Sequence, residues 1–394
     1  MHDVAGVTAV SRAGGSISTT LRQPFFAAYI GCLIVIASLS LYFLPHILQG
    51  DAISYVDAAK AYAGNVHLDI NLPPGPLTRE TVTPEIVAVH RMLTSPLGIE
   101  ILRFFAWITG SFEVGWLVMD TFFFFGGSIV LYLLLARFYE SERVAFIGGL
   151  FYAGNYSMLS QGMGYFMDIG GWFFYLLALL LIYLYIESSN YRMLVIAALI
   201  IALGGLFKEN AYMACIPIGA VLLFEYYRTP LAFLARSVPL ALVVTLPAVV
   251  QHIHMYREYG YTYSYWVNLS QDFYEYDSVL IEYFKSFGSL LTFLAPIALL
   301  GAYEFVRRFN DPWLTHKKKV FLVSVLASSI PAVLWPAVTQ RVLFLAVPGL
   351  ILLAGLCVKR FERYWYAFVP LIILYLLAAL TMDSFILNYV NLPI

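Results

Sequence analysis

The chain alternates long apolar runs with short charged or turn-rich breaks, and the runs have the length a bilayer demands. Crossing the hydrocarbon core as a helix takes about 20 consecutive apolar residues. Runs of that order fall at 25–48, 113–137, 144–162, 168–186, 192–207, 210–227, 233–250, 287–305, 320–337, 341–358 and 365–383. The pattern predicts an all-α polytopic membrane protein with about 11 transmembrane helices. The stretch from Phe25 to Leu44 carries no charge; it is longer than a secretory signal core and suits an uncleaved spanning anchor.

Two breaks are long: residues 49–112, between the first and second spans, and residues 251–286, between the seventh and eighth. In the first, Asp51, Tyr55 and Tyr62 fall on one helical face, which predicts a short helix lying against the membrane surface. Around residues 71–80, Asn, Pro and Gly crowd too closely for regular structure, and an exposed segment is expected. The stretch from Pro96 to Gly110 is apolar but short and carries Glu100 and Arg103, as an interfacial helix does. No internal repeat is visible, so residues 1–394 read as a single integral membrane domain.

Composition narrows the classes further. Hydrophobic residues make up 61% of the 394 and charged residues only 12%, against about 25% charged in soluble domains. The 23 Lys and Arg are balanced by 24 Asp and Glu, so nucleic acid is not an expected partner. Cys32, Cys215 and Cys357 each lie in an apolar run without a second ligand at metal spacing, and are read as packing residues. His252 and His254 are two apart, a spacing that suits a shared metal only in an extended segment.

Basic residues are retained on the cytoplasmic side. With the N-terminus inside, the outer loops hold Lys60, Arg79, Arg91, Arg103, Lys208, Arg257, Lys285 and Arg341, and the other 15 of the 23 basic residues lie inside, Lys317, Lys318 and Lys319 among them. The protein is therefore expected in a plasma or inner membrane, or the endoplasmic reticulum of a eukaryote, with its N-terminus cytoplasmic.

In that topology, five ionisable residues at span ends gather on the outer side: Asp51, Asp168, Lys208, Glu209 and Arg341. A charge beside apolar runs costs up to roughly 2.5 to 3.5 kcal/mol unless it is paired or faces a cavity. Each has an ordinary reading as well: Asp51 and Asp168 as helix caps, Lys208 and Glu209 as an ion pair closing a turn, Arg341 as a snorkelling side chain. Asp120, deep in the second span, is expected to pair internally. The second outer loop is rich in tyrosine, including Tyr256, Tyr261, Tyr263 and Tyr265, beside Trp266. Such aromatics form an interfacial belt or stack on a sugar. Asn268-Leu-Ser270 fits a glycosylation sequon, a pattern common by chance.

Gly50-Asp51, the Met167-Asp168 start of the fourth span, the Lys208-Glu209 outer turn and the segment from Arg341 to Pro348 together resemble the GT-C superfamily of polyprenyl-phosphate-sugar-dependent glycosyltransferases. That group includes protein O-mannosyltransferases and lipid A aminoarabinose transferases. The resemblance covers the layout of the first seven spans. It implies that Asp51 is the essential acid, with Asp168 a second acid near the site and Lys208 and Arg341 near the lipid phosphate. Glu209 and Tyr55 join them as substrate-binding candidates. Many members have Asp-Glu at the first position, whereas this chain has Asp51-Ala52; a divalent cation, Mg or Mn, held by Asp51 and Asp168 is one cofactor the resemblance leaves open.

The implied reaction moves a sugar from a polyprenyl-phosphate carrier to an acceptor hydroxyl on a lipid, glycan or protein, outside the cytoplasm, by a single displacement with inversion. Membrane lipids are the other expected partner. A transporter or lipid flippase using the same charged cavity is the rival; such proteins commonly carry paired repeats and charges near the bilayer midplane.

Overall fold

The structure, a computed structural model, describes residues 23–44, 51–62, 64, 68, 70, 72–73, 75, 77–273, 278–291, 293–333 and 339–385. Every regular element among the described residues is a helix.

Helix α1 (Pro24–Phe43) is the first span. A surface layer follows: α2 (Asp51–Tyr62), α3 (Pro84–Thr94) and α4 (Pro96–Thr109). Proline at the first turn of α3 and of α4 sacrifices an N–H that a helix start leaves unbonded anyway. Thr83 caps α3 by accepting the Ile86 N–H, and Gly110, in the left-handed region, ends α4. The predicted surface helix after Asp51 and the interfacial helix after Pro96 are both present. Phe104, Trp107 and Ile108 on α4 are exposed, as a face lying in a headgroup layer would be.

Next come α5 (Phe112–Tyr139) and α6 (Glu142–Ala153), started by the side-chain caps Ser111 and Ser141. A π-helical turn, Met158–Gly162, leads to α7 (Asp168–Ser188), then α8 (Tyr191–Phe207). A 3-10 turn, Glu209–Ala214, opens α9 (Cys215–Tyr226), and α10 (Pro230–Tyr259) returns to the surface layer. The remainder is α11 (Tyr263–Phe273), α12 (Val279–Leu291), α13 (Leu294–Arg307), α14 (His316–Ala327), the short α15 (Ile330–Val333) and α16 (Gln340–Leu343), then α17 (Val347–Arg360) and α18 (Phe368–Phe385). The core is aromatic: Trp116, Tyr132, Trp172 and Tyr175 are fully buried between α5, α7 and their neighbours.

Six helical stretches among the described residues are long and apolar enough to cross a membrane: Pro24–Phe43, Phe112–Tyr139, Asp168–Ser188, Pro230–Tyr259, Gln340–Arg360 and Glu362–Thr381. They coincide with six predicted spans. The other five fall on shorter or interrupted helices: 144–162 divides into α6 and the π turn, 192–207 is the shorter α8, and 210–227 begins as a 3-10 turn. Likewise 287–305 straddles the break between α12 and α13, and 320–337 ends α14 early and includes residues outside the described set.

Charges sort into two layers. Asp168 and Glu187 lie near opposite ends of α7, about 30 Å apart at 1.5 Å per residue. Around the Glu187 end, Arg137 meets Glu187 at 2.7 Å, Lys318 meets Glu140 at 3.3 Å, and Lys317 meets Glu225 at 3.6 Å. There too Glu304, only 2% exposed, is held by Arg307, Arg308 and Arg360, while Lys359 and Ser141 hold Glu362. All these basic residues belong to the predicted inner set.

Candidate active site

At the Asp168 end a cavity of about 660 Å³ opens between the surface layer and the helix ends. Asp168, Lys208, Glu209 and Arg341, predicted to converge, all line it. The fifth, Asp51, starts α2, but its side chain is outside the described residues.

Asp168 is the first residue of α7 and is buried; it does not cap its own helix. Asn210 Nδ2 donates to its Oδ1 at 2.9 Å, and Arg341 Nη1 stands 3.9 Å from its Oδ2. The Arg341 guanidinium also lies over the Phe166 ring, 5.1 Å from its centre. Arg341 is therefore drawn inward by a buried anion rather than snorkelling to the surface.

Lys208 ends α8 in extended conformation and is 8% exposed. Its Nζ is 3.1 Å from Glu209 Oε1 and donates to the Tyr55 hydroxyl at 3.3 Å. Burial opposes its charge, but Glu209, the Tyr55 oxygen and Asp168 outweigh burial, and its pKa is raised above the usual lysine value. It is an ammonium at any physiological pH. The close approach depends on Gly171: a Cβ there would sit 2.9 Å from Lys208 Cβ and 3.3 Å from Asn210 Cβ. Tyr55 does not line the cavity; it is buried behind Lys208, orienting it.

Charge at span ends did not single out Arg91, Asn210 or Asp57, which also line the cavity. Arg91 is buried on α3, its guanidinium 5.0 Å from the Tyr55 ring centre and 4.9 Å from that of Trp266, with Nε donating to Ser54 Oγ at 3.3 Å. It carries the same signal as the others, a charge within an apolar stretch (Ile86 to Leu93), but in a segment too short to count as a span. Asn210 bears no charge to flag it. Of the tyrosine-rich loop, Tyr263 and Trp266 reach the cavity. The indole of Trp266 is stacked on His90 at 3.9 Å, so that face is not free for a sugar. Tyr256 is exposed, as in an interfacial belt. Pro331, Ala332, Val342 and Leu345 add apolar surface to the lining.

His252 and His254 lie two residues apart in helical α10, where side chains at that spacing do not face each other. For a divalent cation, Asp168 has Asn210 on one oxygen and Arg341 near the other. Among the described residues, no three His, Cys, Asp or Glu side chains converge as ligands. Lys208 and Arg341 are the cationic groups that would face an anion in the cavity.

Residues 94–251 match the family described as dolichyl-phosphate-mannose-protein mannosyltransferase. The structure superposes on the crystal structure of ArnT from Cupriavidus metallidurans bound to undecaprenyl phosphate with a TM-score of 0.58 and 14% sequence identity, over 96% of this chain. The chain spans 66% of the length of that ArnT. No characterised protein with a curated sequence is significantly similar in sequence. The helical membrane-protein fold expected from the resemblance is the one this chain shares with ArnT.

Proposed function

We propose that this chain is a glycosyltransferase that moves a sugar from a polyprenyl-phosphate carrier to an acceptor hydroxyl at the outer end of its helices. The observation that carries the reading is a cavity lined by two cations, the buried Lys208 and the partly exposed Arg341, together with apolar side chains. A lipid phosphate with its first isoprene units has that division of character. The family match and the ArnT fold support the same donor class.

In this reading the acceptor oxygen attacks the anomeric carbon while its proton passes to Asp51 as general base. The bond from that carbon to the phosphate oxygen breaks, and polyprenyl phosphate leaves with its new charge facing Lys208 and Arg341. One displacement inverts the anomeric centre. The Glu209 carboxylate, which lines the cavity and pairs with Lys208 through Oε1, is assigned to a sugar hydroxyl. The protein's own ammonium at Lys208 and guanidinium at Arg341 are the charges assigned to the phosphate.

The test is transfer from a synthetic polyprenyl-phosphate sugar in purified membranes. Asp51→Asn, matched in size, should insert normally and lose activity by about 100-fold or more, the low end for removing a general base. Full activity in a folded Asp51→Asn protein would remove Asp51 from the chemistry. Wild-type membranes that move a cargo but form no glycosidic product would instead favour a transporter. Transfer is expected to persist in EDTA; loss restored by Mg or Mn would assign a metal.

A further inference from the structure

Asp120 sits in the third turn of α5, inside a membrane span, and is completely buried. A carboxylate at that depth is costly, and such residues are found where something depends on them. Its Oδ2 accepts the backbone N–H of Tyr165 at 3.2 Å, and its Oδ1 has no hydrogen-bond partner. Tyr165 is one of three non-glycine residues with positive φ among those described, at 66°. A bulky aromatic in that region is strained and persists only where its surroundings hold it. The preceding residue is equally constrained: a Cβ on Gly164 would lie 2.2 Å from the Ser160 carbonyl oxygen.

The strained turn leads directly to the site. Phe166 supplies the ring beneath the Arg341 guanidinium, and Asp168 supplies its anion. One turn before Asp120, Trp116 packs edge-on against both Tyr165, at 5.9 Å, and Tyr55, at 5.8 Å. Tyr55 in turn holds Lys208.

We propose that Asp120 is a positioning residue: through its bond to the Tyr165 N–H it fixes the turn that presents Phe166 and Asp168 to Arg341, and so sets where the cavity's cations stand. What it supplies is an acceptor at one place; its charge is not needed. The kinetic consequence rests on the transferase reading, but the geometric one does not.

Two arms test this. In the first, Arg341 is modified with an arginine-specific dicarbonyl reagent and quantified by mass spectrometry, which needs no transfer activity. Asp120→Leu, similar in size but without an acceptor, should raise the modification rate at least about threefold, and Asp120→Asn, which retains the acceptor, should leave it at the wild-type value. In the second arm, Asp120→Leu should raise the donor KM about tenfold with a smaller change in kcat, and Asp120→Asn should restore wild-type KM. A purely structural role would lower the yield of folded protein without changing the KM of what folds. Should Asp120→Leu not fold, Asp120→Ala decides, because it also removes the acceptor without adding bulk and should expose Arg341 equally. Unchanged Arg341 reactivity in a folded Asp120→Leu or Asp120→Ala protein would overturn the proposal, as would loss of the wild-type KM or of Arg341 protection in Asp120→Asn. A wild type with protected Arg341 but no transfer would sink the transferase reading and leave the positioning role standing.

Discussion

Lys208 is the residue on which burial and charge act most strongly against each other. Desolvation lowers its pKa; Glu209, Tyr55 and Asp168 outweigh that and raise it. A hydrogen bond to a charged group contributes about 1.5 to 3 kcal/mol, so removing one phosphate contact should cost roughly 10- to 100-fold. Lys208→Met keeps the stem and removes the ammonium; donor KM should rise by about that factor in a steady-state transfer assay, with kcat less affected. The sign of the pKa shift gives a second readout. A raised lysine pKa adds stability that is complete below the unfolded value, about 10.4, and is lost only as pH climbs through the folded value. Lys208→Met should therefore flatten the alkaline limb of melting temperature against pH above about pH 10, and leave the slope between pH 6 and 9 unchanged. Arg91 acts by shape as much as charge, because its planar guanidinium lies against both Tyr55 and Trp266. A lysine cannot reproduce that stacking. Arg91→Lys is expected to cost about 1 to 2 kcal/mol, visible as a lowered melting temperature.

At the scale of the helices, the α7 start and the α8–α9 turn approach closely because glycines line the contact. Gly171→Ala would drive a methyl into Lys208 and Asn210, and overpacking of this kind costs about 1 to 3 kcal/mol. Gly219, in the middle of α9, has nothing within 4 Å of its would-be Cβ, and alanine there should be neutral or slightly stabilising. Thermal melts of the two variants, with transfer measured alongside, should separate them: Gly171→Ala loses both stability and activity, and Gly219→Ala neither. The contrast also marks what could be read from sequence. Long spans were legible because twenty apolar residues have few other fates, and Asp168, Lys208, Glu209 and Arg341 because charge at span ends is conspicuous. The π turn at Met158–Gly162, the 3-10 turn at Glu209–Ala214 and the break between α12 and α13 were not, since hydropathy has no sensitivity to hydrogen-bond register. Asp120 was expected to pair internally, but its partner is a backbone N–H, which no side-chain pattern could reveal.

Across the whole molecule, the two charge layers differ in how they are satisfied. At the Glu187 end, ion pairs knit helix termini together, and the pocket beside Glu225 and Lys317 is far smaller than the cavity at the Asp168 end. At the Asp168 end, cations and anions face an open space. On the positive-inside rule, we propose that the closed end, where basic residues are dense, faces the cytoplasm and the open end faces away from it. The assignment makes a prediction about sides. In a background where Cys32, Cys215 and Cys357 are replaced by alanine, single cysteines placed at Thr78 and at Asn268 flank the open layer, and one at Asn310 follows the Arg307–Arg308 cluster. An impermeant maleimide added to intact cells should label the first two and spare the third, and Asn310→Cys should become reactive once the membrane is permeabilised. Labelling of Asn310→Cys in intact cells, with Thr78→Cys and Asn268→Cys protected, would invert the molecule. The cavity would then open to the cytoplasm, where soluble nucleotide sugars are at hand and a lipid-carried donor would lose its rationale.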